Sequence, residues 1–383
     1  MNDKDYIYFD SSATTMPYAE VMKSFEKISI DYFANPSSNH GLGYRSSEIL
    51  EKARRQIAKY LDCQADEVIF TSGATEGNNL AIRGVCQHCQ SWAKRIITTK
   101  AEHPSVLNLF EAIEKTGYEV IYLDYDKEGR LNLEQLRNSL NDKTCLVSIM
   151  AVNNETGYIF PIEEAYDIIH KNSKALLHVD ATQAICKMPL NSQAYDLMSF
   201  SGHKVGGLKG SGVLVKKKNV FIDEQIIGGS QENGLRAGTS FMGLDCSLAT
   251  ALRLSFSTME SRSVQAKKIT DYLRTKLSEI KEVVITSPLD ASPFILNFSL
   301  LEHKGSVIAE ALSNHHVYVS TTSACSSREA GISYVLKGAG WDDEIASNSI
   351  RLSFSGTETI DQAEEFMKIF TQILSEIKTR SNI

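Results

Sequence analysis

Between residue 64 and about residue 215 the chain repeats one pattern: a short apolar run, a polar or glycine-rich turn, then a helix-like segment. The runs are 67–71 (EVIFT), 95–99 (RIITT), 120–123 (VIYL), 146–150 (LVSIM), 176–179 (LLHV), 197–200 (LMSF) and 212–215 (GVLV). Strands alternating with helices at this spacing make an α/β protein with a mostly parallel sheet. In open α/β sheets ligands collect beyond the carboxyl ends of the strands, so the polar residues after each run are candidates to share one site.

After about residue 250 the texture changes. A long helical stretch is expected over 255–280, short strands over 294–298 and 317–319, and a last amphipathic helix over 361–377. This reads as a smaller α+β domain joined by the N-terminal strand region. The expected division is 14–255 for the large domain, and 1–13 with 256–383 for the small one. A chain of 383 residues is long enough for two such units and a cleft between them.

Composition narrows the function classes. Hydrophobic residues at 42% and charged residues at 23% are those of an ordinary soluble globular protein. A net charge of −7 and one three-residue basic run, Lys216-Lys217-Lys218, read as a solvated turn, argue against direct nucleic-acid binding. No segment reaches the ~18 uninterrupted apolar residues of a membrane span, and the N-terminus has charges where a signal peptide needs an apolar core, so a cytoplasmic protein is expected. Seven scattered cysteines give no disulfide framework. Cys145 and Cys186 read as small buried hydrophobes. Cys86-Gln-His-Cys89 lacks the second ligand pair that a zinc site needs, so no metal is expected.

The chemistry sits in the turns. In the stretch 199–212 (SFSGHKVGGLKGSG) Lys204 ends a strand among small residues that leave room for a ligand at its amine, as a Schiff-base lysine requires; the bland alternative is a glycine-rich hairpin. Upstream, 178–183 (HVDATQ) ends an apolar run with Asp180, a carboxylate suited to pair with a protonated pyridine nitrogen or simply to cap a helix. Thr71-Ser-Gly-Ala-Thr75 opens a helix after a strand, so the amides of Gly73, Ala74 and Thr75 and the Thr75 hydroxyl can hold a phosphate. In 101–105 (AEHPS), His103 offers a ring to stack on a flat cofactor or to move protons. Lysine, aspartate, phosphate loop and stacking ring together make a pyridoxal 5'-phosphate site.

With these motifs in this order the chain resembles the class V aminotransferase group of fold type I pyridoxal phosphate enzymes, and within it cysteine desulfurases of the NifS/IscS type. The resemblance also runs through 9–15 (FDSSATT), 35–40 (NPSSNH), 152–157 (VNNETG), 228–232 (GGSQE), 236–239 (RAGT), 320–328 (STTSACSSR) and 350–353 (IRLS). It implies Lys204 as the Schiff-base lysine, Asp180 as the pyridinium partner and His103 as stacking ring and acid/base. It implies Asn154 and Gln183 near the ring's phenolic oxygen, and Ala74, Thr75, Ser201 and His203 around the phosphate. Thr239 would reach in from the other subunit of a homodimer. Asn35 and Arg351 would bind the substrate carboxylate, Arg351 with planar bidentate geometry.

Cys325 would be the third catalytic residue. Its small polar neighbours suit a mobile loop, and the resemblance implies that its thiolate takes sulfur from L-cysteine, leaving L-alanine and a persulfide. Cys325 is otherwise a surface thiol or, at most, a transient iron–sulfur ligand. The acceptor would be an iron–sulfur scaffold or a tRNA- or cofactor-thiolation enzyme. Only 32 residues follow Arg351, so the extended tail of the housekeeping iron–sulfur branch is not expected. Ser11-Ser12 and Gly207-Leu208 depart from the family pattern and are expected to touch no catalytic group. The alternatives are a selenocysteine lyase or other pyridoxal phosphate lyase, and a catalytically silent binding subunit.

Overall fold

The computed structural model describes residues 6–321 and 331–381. The chain opens with β1 (Ile7–Tyr8) and helices α1 (Ala19–Asp31) and α2 (Gly41–Leu61). Seven strands follow: β2 (Val68–Thr71), β3 (Arg95–Thr99), β4 (Glu119–Leu123), β5 (Thr144–Ser148), β6 (Leu176–Asp180), β7 (Leu197–Ser201) and β8 (Gly212–Lys216). Between them lie α3 (Ala74–Cys89), α4 (Pro104–Glu114), α5 (Leu133–Ser139) and α6 (Ile162–Asn172). The seven strands form one sheet in the order β2-β8-β7-β6-β5-β3-β4. Only β8 runs against its neighbours; because both β2 and β7 pair antiparallel with it, β2 points the same way as the rest. Strands β2, β5 and β7 are buried along their whole length, which is why their sequences read as unbroken apolar runs rather than alternating ones.

All seven runs expected from the sequence are strands of this sheet; antiparallel β8 leads to the opposite edge, whereas the polar residues after β2, β3, β5, β6 and β7 lie at the sheet's carboxyl edge. Thr71 and Ser201 both pair with Gly212 there. That crossing needs glycine: a Cβ on Gly212 would come within 2.5 Å of the Gly73 Cα.

The helical stretch expected over 255–280 is α8 (Met259–Ser278) preceded by the end of α7 (Met242–Ser257). The break is at Thr258, whose hydroxyl donates back to the Leu254 carbonyl (2.9 Å), a side-chain bond that competes with helix continuation. Of the basic run, Lys216 and Lys217 are half-buried and Lys218 is exposed: Lys216 Nζ donates to the Val220 carbonyl (2.9 Å), and Lys217 Nζ lies 5.1 Å from the centre of the Tyr195 ring.

The C-terminal part holds β9 (Val283–Ile285), β10 (Ile295–Leu300), α9 (Gly305–Asn314), β11 (Val317–Tyr318), β12 (Ser320–Thr321), α10 (Tyr334–Gly338), α11 (Asp343–Ser347), β13 (Ser349–Ser353) and α12 (Ile360–Ser381). An antiparallel sheet runs β12-β13-β10-β9, and β1 pairs parallel with β11. Ala363, Phe366, Met367, Phe370, Ile373 and Leu374 give α12 one buried face at helical spacing. Phe9, just past β1, packs edge-on to Phe354 and lies 5.7 Å from Phe366, so the N-terminal segment is built into this region.

Candidate active site

A cavity of about 280 Å³ opens at the carboxyl edge of the large sheet. Lys204, Asp180, His103, Ala74, Thr75, Asn154, Gln183, Ser201, His203 and Arg351 all line it. Ten of the residues expected from the sequence therefore meet in one place.

The side chains behind Asp180 form a bonded network. Asp180 ends β6, is 4% exposed, and accepts from the Asn78 amide (2.9 Å) and the Thr182 backbone N–H (3.0 Å). Asn78, on α3, is itself held by Ser105 Oγ (2.9 Å) and by a short bond from the Ser199 hydroxyl. His178, one strand step from Asp180 on the same strand, sits between Ser148 Oγ (2.8 Å) and Ser199 Oγ (3.0 Å). Burial pushes His178 down to about 4 although the Asp180 charge works the other way, so the ring is neutral.

Lys204 closes the turn Gly202–Lys204 after β7, and its Nζ donates to the backbone carbonyls of Ser12 and Ala13, the latter at 2.7 Å. The expectation that Ser11-Ser12 touches no catalytic group is thus corrected. It failed because the contact is made by the main chain, which leaves no mark on residue identity.

His103 caps α4, its Nδ1 accepting from the Ser105 backbone N–H (3.1 Å) and facing Ser105 Oγ (2.8 Å). Burial holds its pKa below the usual histidine range, with Lys204 adding to the effect and Asp180 opposing it. With Nδ1 accepting, the neutral ring carries its proton on Nε2. Next to it, Glu102 is fully buried, accepts from Thr99 Oγ1 (2.9 Å) and Met150 N–H (2.8 Å), and is pushed up to about 8 by burial.

At the helix start Gly73 has φ 147°, a conformation that favours glycine, and α3 begins at Ala74. The Ala74 amide is not free, as the sequence suggested; it donates to Ser201 Oγ (2.7 Å). That bond joins the two halves of a cradle, one from α3 and one from β7. His203 Nδ1 is 3.1 Å from Thr14 Oγ1, and burial, with Lys204 and Lys209 adding to it, pushes His203 down to about 4.

The opposite wall comes from β13. Arg351 is 5% exposed, donates from Nη1 to the Asn154 carbonyl (2.9 Å) and from Nη2 to Asp10 Oδ1 (2.7 Å). Around it are buried polar atoms without a partner among the described residues: Ser12 Oγ, Asn154 Oδ1, Thr182 Oγ1 and Arg351 Nε. All four belong to residues lining the cavity. Buried polar atoms are nearly always bonded in native proteins, so four orphans around one cavity mark it as a place for a polar ligand. The donor set fits pyridoxal phosphate: a carboxylate for the ring nitrogen, an amine, an imidazole, and a helix start with hydroxyls for the phosphate.

Asn35 and Thr239 line no part of this cavity. Both are exposed, and Asn35 Oδ1 accepts from the Ser37 backbone N–H (2.9 Å). Cys325 lies outside the described residues. Sequence reasoning missed Asn78, Thr182 and the Ser12–Ala13 carbonyls, although all of them stand inside the quoted motifs TSGATEGNN, HVDATQ and FDSSATT.

The model of the class V aminotransferase family matches residues 7–366. A "NifS/IcsS protein homolog" of Lactobacillus delbrueckii subsp. bulgaricus is 38% identical over 372 residues, covering 96% of this chain and 97% of that protein. "Cysteine desulfurase IscS" of Pectobacterium carotovorum subsp. carotovorum is 38% identical over 373 residues, covering 94% of this chain and 92% of its own. Among solved structures, a "NIFS-LIKE PROTEIN" superposes with a TM-score of 0.91 at 34% identity over 97% of this chain and 99% of that chain. The chain therefore belongs to the class V aminotransferase family, beside proteins of the NifS/IscS type.

Proposed function

We propose that this chain is a pyridoxal phosphate-dependent cysteine desulfurase, converting L-cysteine to L-alanine and passing the sulfur to Cys325. The observation that carries the reading is the convergence of Lys204, Asp180, His103 and Arg351 on one cavity ringed by unpartnered polar atoms, in a chain 38% identical to a protein named cysteine desulfurase.

The cofactor, when bound, supplies an electron sink that lets the bonds at the substrate's Cα and Cβ break. Asp180, its charge fixed by Asn78 and Thr182, holds the ring nitrogen protonated. The Ala74–Ser201 cradle, Thr75 and His203 bind the phosphate at the positive end of α3. Asn154 and Gln183 bond the ring oxygen. Arg351 binds the substrate carboxylate, its guanidinium already oriented by Asp10 and the Asn154 carbonyl. Lys204 removes the Cα proton, and the neutral His103, protonated on Nε2, holds a proton to deliver to a leaving or entering atom. Sulfur transfer balances without an outside oxidant: the Cβ–S bond of cysteine breaks, an S–S bond to Cys325 Sγ forms, and L-cysteine plus thiol gives L-alanine plus persulfide.

The enzyme would act as a cytoplasmic homodimer, with Thr239 serving the partner subunit's cavity; the exposed apolar side chains Ile226, Ile227 and Phe241 on the same arm support a buried role for it in an assembly. The division into 14–255 and 1–13 with 256–383 is supported by the pairing of β1 with β11. Sulfur would pass to an iron–sulfur scaffold or a thiolation enzyme.

The test is mass spectrometry after brief exposure to L-cysteine without reductant. We expect one added sulfur on the peptide carrying Cys325 and none in a Lys204→Ala protein. Alanine formed while that peptide stays unmodified would replace the desulfurase reading with that of a lyase in which Cys325 is dispensable.

A further inference from the structure

Gln183 reaches the cavity from a turn that the chain does not adopt cheaply. Cys186, fully buried, has φ 57°, a left-handed backbone that costs a non-glycine residue stability unless its surroundings impose it. Arg262 imposes it: its Nη2 donates to the Cys186 carbonyl (2.7 Å) in the core. The residue that this turn places is Lys187.

Lys187 is 5% exposed and its Nζ donates to Gln183 Oε1 (2.7 Å). No carboxylate lies within ion-pair distance of it among the described residues, and the Phe294 ring is 5.8 Å away. Burying an amine without a counter-ion is costly, and an apolar side chain would fill such a site better. Burial, with Lys204, Arg262 and Arg351 adding to it, pushes the Lys187 amine down to about 7.

The bond it makes has a directional consequence. The Lys187 amine donates to Gln183, which turns its amide oxygen toward Lys187. The amide nitrogen is then on the other side, where one N–H goes to the Ser12 carbonyl (3.0 Å), the same carbonyl that receives Lys204. The second N–H is left for a ligand in the cavity that Gln183 lines.

We propose that Lys187 is a positioning residue for the cofactor pocket: it locks the Gln183 amide so that nitrogen, and not oxygen, is offered to an acceptor oxygen on the bound ring. The proposal rests on the reading of the cavity as a pyridoxal phosphate site.

The test is reconstitution with pyridoxal phosphate, recording both the dissociation constant and the visible absorption of the bound cofactor. The proteins compared are wild type, Lys187→Met, Gln183→Leu, the double variant and Lys187→Gln. Lys187→Met and Gln183→Leu are each expected to weaken binding about tenfold, the scale of one hydrogen bond, and to move the absorption maximum in the same direction. The double variant should bind within about twofold of Gln183→Leu alone, since Lys187 acts through that amide. Lys187→Gln, which keeps a donor, should stay within about threefold of wild type, and it carries the test should Lys187→Met not fold. Losses that multiply in the double variant, a Lys187→Met protein with wild-type affinity and spectrum, or a Lys187→Gln protein weakened tenfold would overturn the proposal alone. A wild-type protein that takes up no pyridoxal phosphate would overturn the cofactor reading with it.

Discussion

The two walls of the cavity are built on opposite plans. Behind Asp180, the side chains of Asn78, Ser105, Ser148, Ser199 and His178, with the Thr182 main-chain amide, form one bonded network that draws on β5, β6, β7, α3 and α4. Across from it, Arg351 and Asn154 leave Nε and Oδ1 buried without partners, and Ser12 and Thr182 leave hydroxyl oxygens. The difference teaches where the site invests its order. A charge that must stay fixed is held by a saturated network, because a half-satisfied one would let it neutralise or move. Groups that must bind what arrives are held by their backbone contacts and left with an open atom.

The largest expected effect attacks the saturated wall. Asp180→Asn keeps the shape and removes the charge, while Asn78 and the Thr182 amide still point at it. Activity on L-cysteine should fall by at least about 100-fold, the scale of one preorganised electrostatic contact, and cofactor affinity should fall with it. A variant with near wild-type turnover would mean that the network serves stability only.

The open wall should respond differently. Arg351→Lys keeps a positive charge but loses the planar fork. The expectation is a KM for L-cysteine raised about 10- to 100-fold, matching one charge-assisted hydrogen bond, with kcat changed much less. If kcat fell and KM did not, Arg351 would be acting on the reacting atoms, and the contrast between the walls would fail.

How much of this was legible follows the same contrast. The saturated wall comes from strand ends and a helix start, and its key residues stood in motifs: Asp180 in HVDATQ, His103 in AEHPS, Lys204 in SGHK. The inner strands announced themselves because a strand covered on both faces is mostly apolar, while β4, half-buried, was found by its β-branched and aromatic residues. Main-chain contacts were illegible: the carbonyls of Ser12 and Ala13 hold Lys204 whatever their side chains are, and the Ala74 amide is claimed by Ser201, 127 residues away in the chain. Lys187 was illegible for another reason. A lysine in a turn reads as solvated, and this one is buried beside a left-handed residue, Cys186, that no glycine marks. The helical stretch expected over 255–280 is mostly α8, and the break at Thr258 that divides it from α7 had no Gly or Pro to mark it.

The smallest effect expected is on stability, and it isolates His178 from the charge it supports. Its folded pKa, about 4, is below the ~6.5 of an unfolded histidine. Between these values the unfolded chain binds a proton that the native ring refuses, so the unfolded state is favoured increasingly as pH falls through this window. The slope from one such group is at most about 1.4 kcal/mol per pH unit. His203, also pushed to about 4, contributes with the same sign. Glu102, pushed up to about 8, contributes with the opposite sign, because the native acid stays protonated while the unfolded one ionises. The informative quantity is therefore the difference between wild type and His178→Gln in denaturant unfolding at pH 7, 6, 5 and 4.5. The variant should be less stable at pH 7, with the gap narrowing toward pH 4.5 as the wild-type histidine loses its advantage. A gap that stayed constant would mean that His178 binds protons equally in the folded and unfolded chain, so that its burial does not disfavour the charged ring.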